Sequence, residues 1–200
     1  MAGERLTPGL AFVGAGFGLL GVTAAIEAYL VLGGAAASGI LSQDLTRLAL
    51  VPWAIGLVFF GYALDHPEVL WDKARGRRVF ATYLLFADGA IHLLAIGEHV
   101  DLPVVVFFAA LAPLQLVSAW FLIRGSPSLL GAWLLGALGL IALYAASTLA
   151  PLPLVDQQYR VEPLGIVSKA LEILLVAALA GELHVASQRA RAAAGIKPAA

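Results

Sequence analysis

The sequence predicts an all-α, polytopic membrane protein, a six-helix transmembrane bundle with both termini on the cytoplasmic side. Three observations carry this. Of the 200 residues, 61% are hydrophobic and only 12% charged, more apolar surface than one soluble core of this size hides. The apolar residues fall into six runs, each near the ~20 residues that a helix needs to cross a bilayer. Lys and Arg are distributed unevenly about those runs, as the orientation of membrane helices requires.

The spans are placed at 9–34, 46–64, 79–100, 103–123, 128–149 and 164–185, and residues 1–200 read as one integral membrane domain. The first follows Arg5 and precedes Ala35-Ala36-Ala37, which resembles a signal-peptide cleavage site. Its apolar run exceeds the ~7–15 residues of a signal h-region, so it reads as an uncleaved helix. Gly14 and Gly18, four residues apart, are expected to let a neighbouring helix approach. Gly16-Phe17-Gly18-Leu19-Leu20-Gly21 also matches a dinucleotide fingerprint, but no strand precedes it and no nucleotide site is assigned.

Gly33-Gly34 separates this helix from the second, which ends at the polar run Asp65 to Arg78. That run is read as a basic loop. The third helix holds Asp88, His92 and His99 and stops before Pro103. The fourth carries Gln115 and ends at Gly125-Ser126-Pro127. The fifth has small residues at Ala132, Gly136 and Gly139, and Tyr144 near its end; the sixth follows a Pro-rich turn, Pro151 to Pro163, and holds Lys169 and Glu172. Strands are not expected, because an open sheet edge in hydrocarbon leaves backbone groups unpaired.

Orientation follows from the basic residues. With the N-terminus inside, the cytoplasmic side holds Arg5, Lys73, Arg75, Arg77, Arg78, Arg124, Arg189, Arg191 and Lys197, nine of the twelve. The other side keeps Arg47, Arg160 and Lys169. An N-in, C-in arrangement agrees with an even number of spans.

Net charge is −1, which gives no reason to expect nucleic-acid binding. Without cysteine, thiolate ligands, iron–sulfur clusters and cysteine nucleophiles are excluded. A transition metal would need His, Asp, Glu, Met or Tyr. No Ser/His/Asp arrangement assembles from spacing, so the residues do not point to an enzyme.

Ionisable groups at membrane depth are costly and usually functional. On a helix continuous over 79–100, Asp88, His92 and His99 project at about 0°, 40° and 20°, a column ~16 Å tall. Glu27 in the first helix and Glu172 in the sixth fall at a depth similar to that of His92, roughly 9–12 Å by the rise per residue. Lys169, one turn from Glu172, is placed to pair with it. These groups are expected to line one outward-facing cavity, with Tyr144 and Gln115 adding hydrogen bonds.

Asp88 and His92 at i, i+4 suit a metal ion whose shell Glu27 or Glu172 completes and which His99 approaches. Mixed N/O ligands fit copper(II), zinc or iron. The competing readings are polar groups that only fix helix packing and a proton-coupled carrier centred on Asp88. Bis-histidine haem is disfavoured, because His184 lies at the inner end and His92 in the outer half, more than ~10 Å apart in depth.

The residues Ile91-His92-Leu93-Leu94-Ala95-Ile96-Gly97-Glu98-His99, Phe107-Phe108, Gln115, Glu162-Pro163-Leu164-Gly165 and Leu171-Glu172 resemble a group of multi-pass bacterial membrane proteins of unassigned function with an H-x6-H helix. Asp88-Gly89-Ala90-Ile91-His92 is similar to the Asp-x3-His pair in the copper-binding subunit of particulate methane and ammonia monooxygenases; His99 follows too soon for that family's second spacing. The first resemblance implies no established activity, and the second implies only that Asp and His at i, i+4 can hold copper in a membrane helix. The leading expectation is a protein of a bacterial cytoplasmic membrane that binds a transition metal, copper first, in a respiratory or metal-handling system. The alternatives are a non-catalytic structural subunit, alone, as a homo-oligomer or with other membrane subunits, and a proton-coupled carrier of small solutes.

Overall fold

The computed structural model describes residues 7–32, 41–97, 99, 101–124, 126–150 and 163–194, and every regular element among them is helical. In order these are α1 (Pro8–Leu32), α2 (Leu41–Asp65), a 3₁₀ turn (Pro67–Leu70), α3 (Lys73–Ala95), α4 (Leu102–Leu122), α5 (Pro127–Leu149) and α6 (Pro163–Ala193). Five of them are long and apolar enough to cross a membrane, and α2 contributes the apolar segment Ala49–Asp65. The cleavage-like Ala35-Ala36-Ala37 and the connection 151–162 lie outside the described residues.

At the centre is α3, with 72% of its apolar segment buried against 17% for α5. It begins six residues earlier than the hydropathy predicts, so Lys73 to Arg78 form its first turns rather than a loop. Asp72 makes this possible: its Oδ1 accepts from the backbone N–H of Ala74 at 2.8 Å and of Arg75 at 3.3 Å. A carboxylate cap offsets the unfavourable meeting of basic side chains with the positive helix N-terminus. Arg75 also reaches Glu68 of the 3₁₀ turn at 2.7 Å.

α6 runs antiparallel to α3 and buries one stripe, Ser168, Glu172, Leu175, Leu179 and Glu182. The alternating spacings of four and three keep these residues on one face. Leu175 and Leu179 fill the middle, and polar residues occupy both ends. At one end Glu182 accepts from Arg77 Nε of α3 at 3.0 Å; the other end is the site described below.

α4 packs on α3 where Gly89 removes a side chain. A Cβ there would lie 2.9 Å from Gln115 Cβ and 3.3 Å from the Ala112 carbonyl oxygen. α5 covers α6 with Leu130, Trp133, Ala137 and Ser147, all buried. Its Gly139 has nothing within 4 Å of a built Cβ and Gly136 meets only Trp133 of its own helix, so the small-residue cluster is not a helix contact.

α1 and α2 form a close antiparallel hairpin. Glycines permit it, though not those that the four-residue spacing selects: Gly14 and Gly18 face open space. Gly9 and Gly61 back onto each other, and a Cβ on Gly16 would sit 2.6 Å from the Ala54 carbonyl oxygen. Thr7 Oγ1 closes the end by donating to Asp65 at 2.6 Å. The hairpin touches α3 through edge-on rings, Phe17 on Phe86 at 5.6 Å and Phe59 on Tyr83 at 5.1 Å.

Candidate metal centre

Asp88, His92 and Glu172 are buried together between α3 and α6, each offering a ligand atom within 4.8 Å of the others. Their spacing explains the meeting. Residues i and i+4 bring Asp88 and His92 to one face of α3, and the buried stripe of α6 presents Ser168 and Glu172 to it.

Gln115 of α4 completes an ordered run of hydrogen bonds. Its Nε2 donates to Asp88 Oδ2 at 2.6 Å, and its Oε1 lies 2.7 Å from His92 Nδ1. An amide that gives its NH₂ to a carboxylate turns its oxygen to the imidazole, so Nδ1 carries the proton and donates. His92 Nε2 therefore keeps a lone pair directed into the site. Metal-binding histidines are oriented in this way by a partner on the opposite nitrogen.

Around that lone pair the acceptors outnumber the donors. The Ser168 hydroxyl lies 3.0 Å from Asp88 Oδ1, 3.3 Å from His92 Nε2 and 3.3 Å from Glu172 Oε1, and it has one proton for all three. Lys169 donates to Glu172 Oε1. Glu172 Oε2 is buried with no hydrogen-bond partner. Two ionised carboxylates and one ammonium leave one negative charge in excess, which burial makes costly unless a cation or a proton joins the group.

The other expected ligands are placed differently. α3 ends at Ala95, so His99 is not on its face: the Gly97 N–H bonds the Leu94 carbonyl at 3.2 Å in a turn that leaves the helix. α4 begins at Leu102 with Pro103 in its first turn, where a proline starts a new helix and does not continue the preceding one. His99 instead stacks on Phe108 of α4 at 5.4 Å, while His92 stacks on Phe108 at 5.2 Å. Glu27 is buried on α1 and is not a member of the three-residue group. Glu98 and Glu162 lie outside the described residues.

Two members escaped the sequence reading. Ser168 stands four residues before Glu172, a spacing that puts both on one face, yet a lone serine in a membrane helix carries no signal by itself. The role of Gly89 shows only once α4 is packed. The Lys169–Glu172 pair, by contrast, forms as the one-turn spacing predicts.

Beside His92, a cavity of about 290 Å³ lies between α3, α4, α5 and α6. Its polar lining residues are His92, His99, Tyr144, Ser147, Ser168 and Lys169, and the rest of its walls are mainly aliphatic and aromatic. The Lys169 ammonium sits 5.3 Å over the Tyr144 ring.

The fold and this group define a helical protein with five helices long and apolar enough to cross a membrane and a buried Asp/His/Glu cluster that could hold a metal ion. No family model, curated protein or solved structure matches the chain.

Proposed function

We propose that this is a multi-pass protein of a bacterial cytoplasmic membrane that binds one transition-metal ion, copper(II) first, at Asp88, His92 and Glu172. The role is in a respiratory or metal-handling system. The observation that carries the reading is the surplus of lone pairs converging on Ser168, with the unpartnered Glu172 Oε2 beside them. His92 Nε2 and Glu172 Oε1 are 3.7 Å apart, close to the roughly 3.5 Å between two ligands of one tetrahedral ion with ~2.1 Å bonds.

Copper(II) has the highest affinity among divalent first-row ions for N/O donors. The only methionine is Met1 and there is no cysteine, so soft ligands for copper(I) are not at hand. Zinc or iron would use the same donors. The Asp-x3-His resemblance to a copper-binding membrane subunit supports the choice. A divalent ion at this site would compete with Lys169 for Glu172, and the ammonium would keep its contact over the Tyr144 ring.

The test is metal analysis, with an optical and a paramagnetic-resonance spectrum, on the purified protein in detergent beside His92→Ala. One equivalent of copper is expected in the parent and none in the variant, with equal insertion. Stoichiometric metal retained by the variant, or none in the parent after copper loading, overturns the proposal.

A packing role is favoured by the Asp88–Gln115–His92 run, in which case His92→Ala lowers thermal stability and changes no affinity. A proton-coupled carrier is favoured by the two buried carboxylates that share the single Ser168 proton. A pH-independent transport phenotype in Asp88→Asn counts against the carrier.

A further inference from the structure

We propose that the cavity between α3, α4, α5 and α6 binds the head of a lipid-soluble quinone that enters from the bilayer between α4 and α5. Size, donor chemistry and access lead to this. An apolar cavity of about 150 Å³ holds one benzene ring; this one, at about 290 Å³, has room for a substituted ring.

Two donors on its wall have capacity to spare. The Tyr144 hydroxyl is buried with no partner. Lys169 places one N–H on Glu172 and holds its ammonium over the Tyr144 ring, with protons left for a second acceptor. Both groups come from facing helices, α5 and α6, and a ligand carrying oxygen acceptors satisfies them together. An anionic headgroup fits less well, because Glu172 already offsets the lysine charge.

Also on the lining, Phe107 and Phe108 form an edge-to-face pair with centroids 5.3 Å apart, and His99 lies near-parallel to Phe108. Such a wall suits a flat ring. Neighbours in sequence, α4 and α5 are the least tightly packed of the paired helices. Phe107 and Leu143, one from each, line the cavity and are 39% and 41% exposed. This seam is the entry proposed for a quinone dissolved in the bilayer.

The occupancy does not depend on a metal, so its failure is separable from that of the metal reading. The experiment uses the full chain in nanodiscs, stripped of metal by chelator, titrated with radiolabelled decylubiquinone against protein-free discs. Saturable binding of one molecule per chain is expected. Tyr144→Phe keeps the ring and removes the hydroxyl, and should weaken binding about tenfold. Leu140→Trp fills the cavity and should abolish it. Binding no greater than in protein-free discs, equal binding in Tyr144→Phe, or displacement by oleate at lower concentration than by unlabelled quinone overturns the proposal.

Discussion

His99 lies past the end of α3, yet its ring is within 13° of parallel to that of Phe108, with centroids 5.4 Å apart. Phe108 presents another part of the same ring to His92. One phenylalanine of α4 therefore holds in place two histidines that the backbone has separated.

Gln115→Leu keeps the volume near constant and leaves Asp88 Oδ2 and His92 Nδ1 without their partner. The loss should be about 2–3 kcal/mol, since the deserted groups are buried. Metal affinity should fall about 10–100-fold, as when the partner of a ligating histidine is removed. Thermal unfolding in detergent and a copper titration measure the two effects separately.

Gly89→Ala tests the close approach of α3 and α4. With Gln115 Cβ 2.9 Å from the new methyl carbon, the helices must part, at a cost of about 1–3 kcal/mol. Gly139→Ala is the matched control, with nothing within 4 Å; it should be neutral or stabilise by about 0.5–1 kcal/mol. Equal melting temperatures for the two variants would show that the space is not limiting.

Arg77→Ala strands Glu182, whose side chain is 7% exposed while that of Arg77 is 48% exposed. Because the arginine is half in solvent, the expected loss is about 1–2 kcal/mol rather than that of a fully buried pair. The double variant Arg77→Met, Glu182→Met should recover most of it. A double variant no better than Arg77→Ala would show that the pair is not what fastens this end of α6.

The cap of α3 makes a pH-dependent contribution. The N–H groups of Ala74 and Arg75 hold the Asp72 carboxyl below its ordinary range. A carboxylate with a depressed folded-state pKa stabilises above its unfolded value of ~3.9 and loses that contribution as pH falls through the folded value. Asp72→Ala should therefore melt at a lower temperature than the parent at pH 7, and the gap should close below about pH 4. A gap independent of pH would assign the effect to packing.

Fold class was legible because hydropathy and length alone demand helices, and the buried group because Asp88, His92 and Glu172 are ionisable residues in apolar runs. The start of α3 was not, since a run of basic residues reads as a loop until Asp72 is seen to cap it. Nor was its end: periodicity continues numerically through Gly97 to His99, whereas the backbone turns. The glycine contacts misled for a related reason. A four-residue spacing marks a face that is smooth, and only the partner helix decides which smooth face is used.

The α1–α2 hairpin is fastened internally, by backbone meeting backbone at Gly9 and Gly61 and by the Thr7–Asp65 bond. Its hold on α3 is made by side chains alone: Phe17 and Phe59 meet Phe86 and Tyr83 edge-on, and Leu20, Val51, Ala54 and Ile55 join the buried core with α3. That seam is mechanically the softer joint. A bilayer that thickens or thins is expected to work first on the tilt of the hairpin, and the three helices that carry Asp88, His92, Gln115 and Glu172 to keep their registration while it moves.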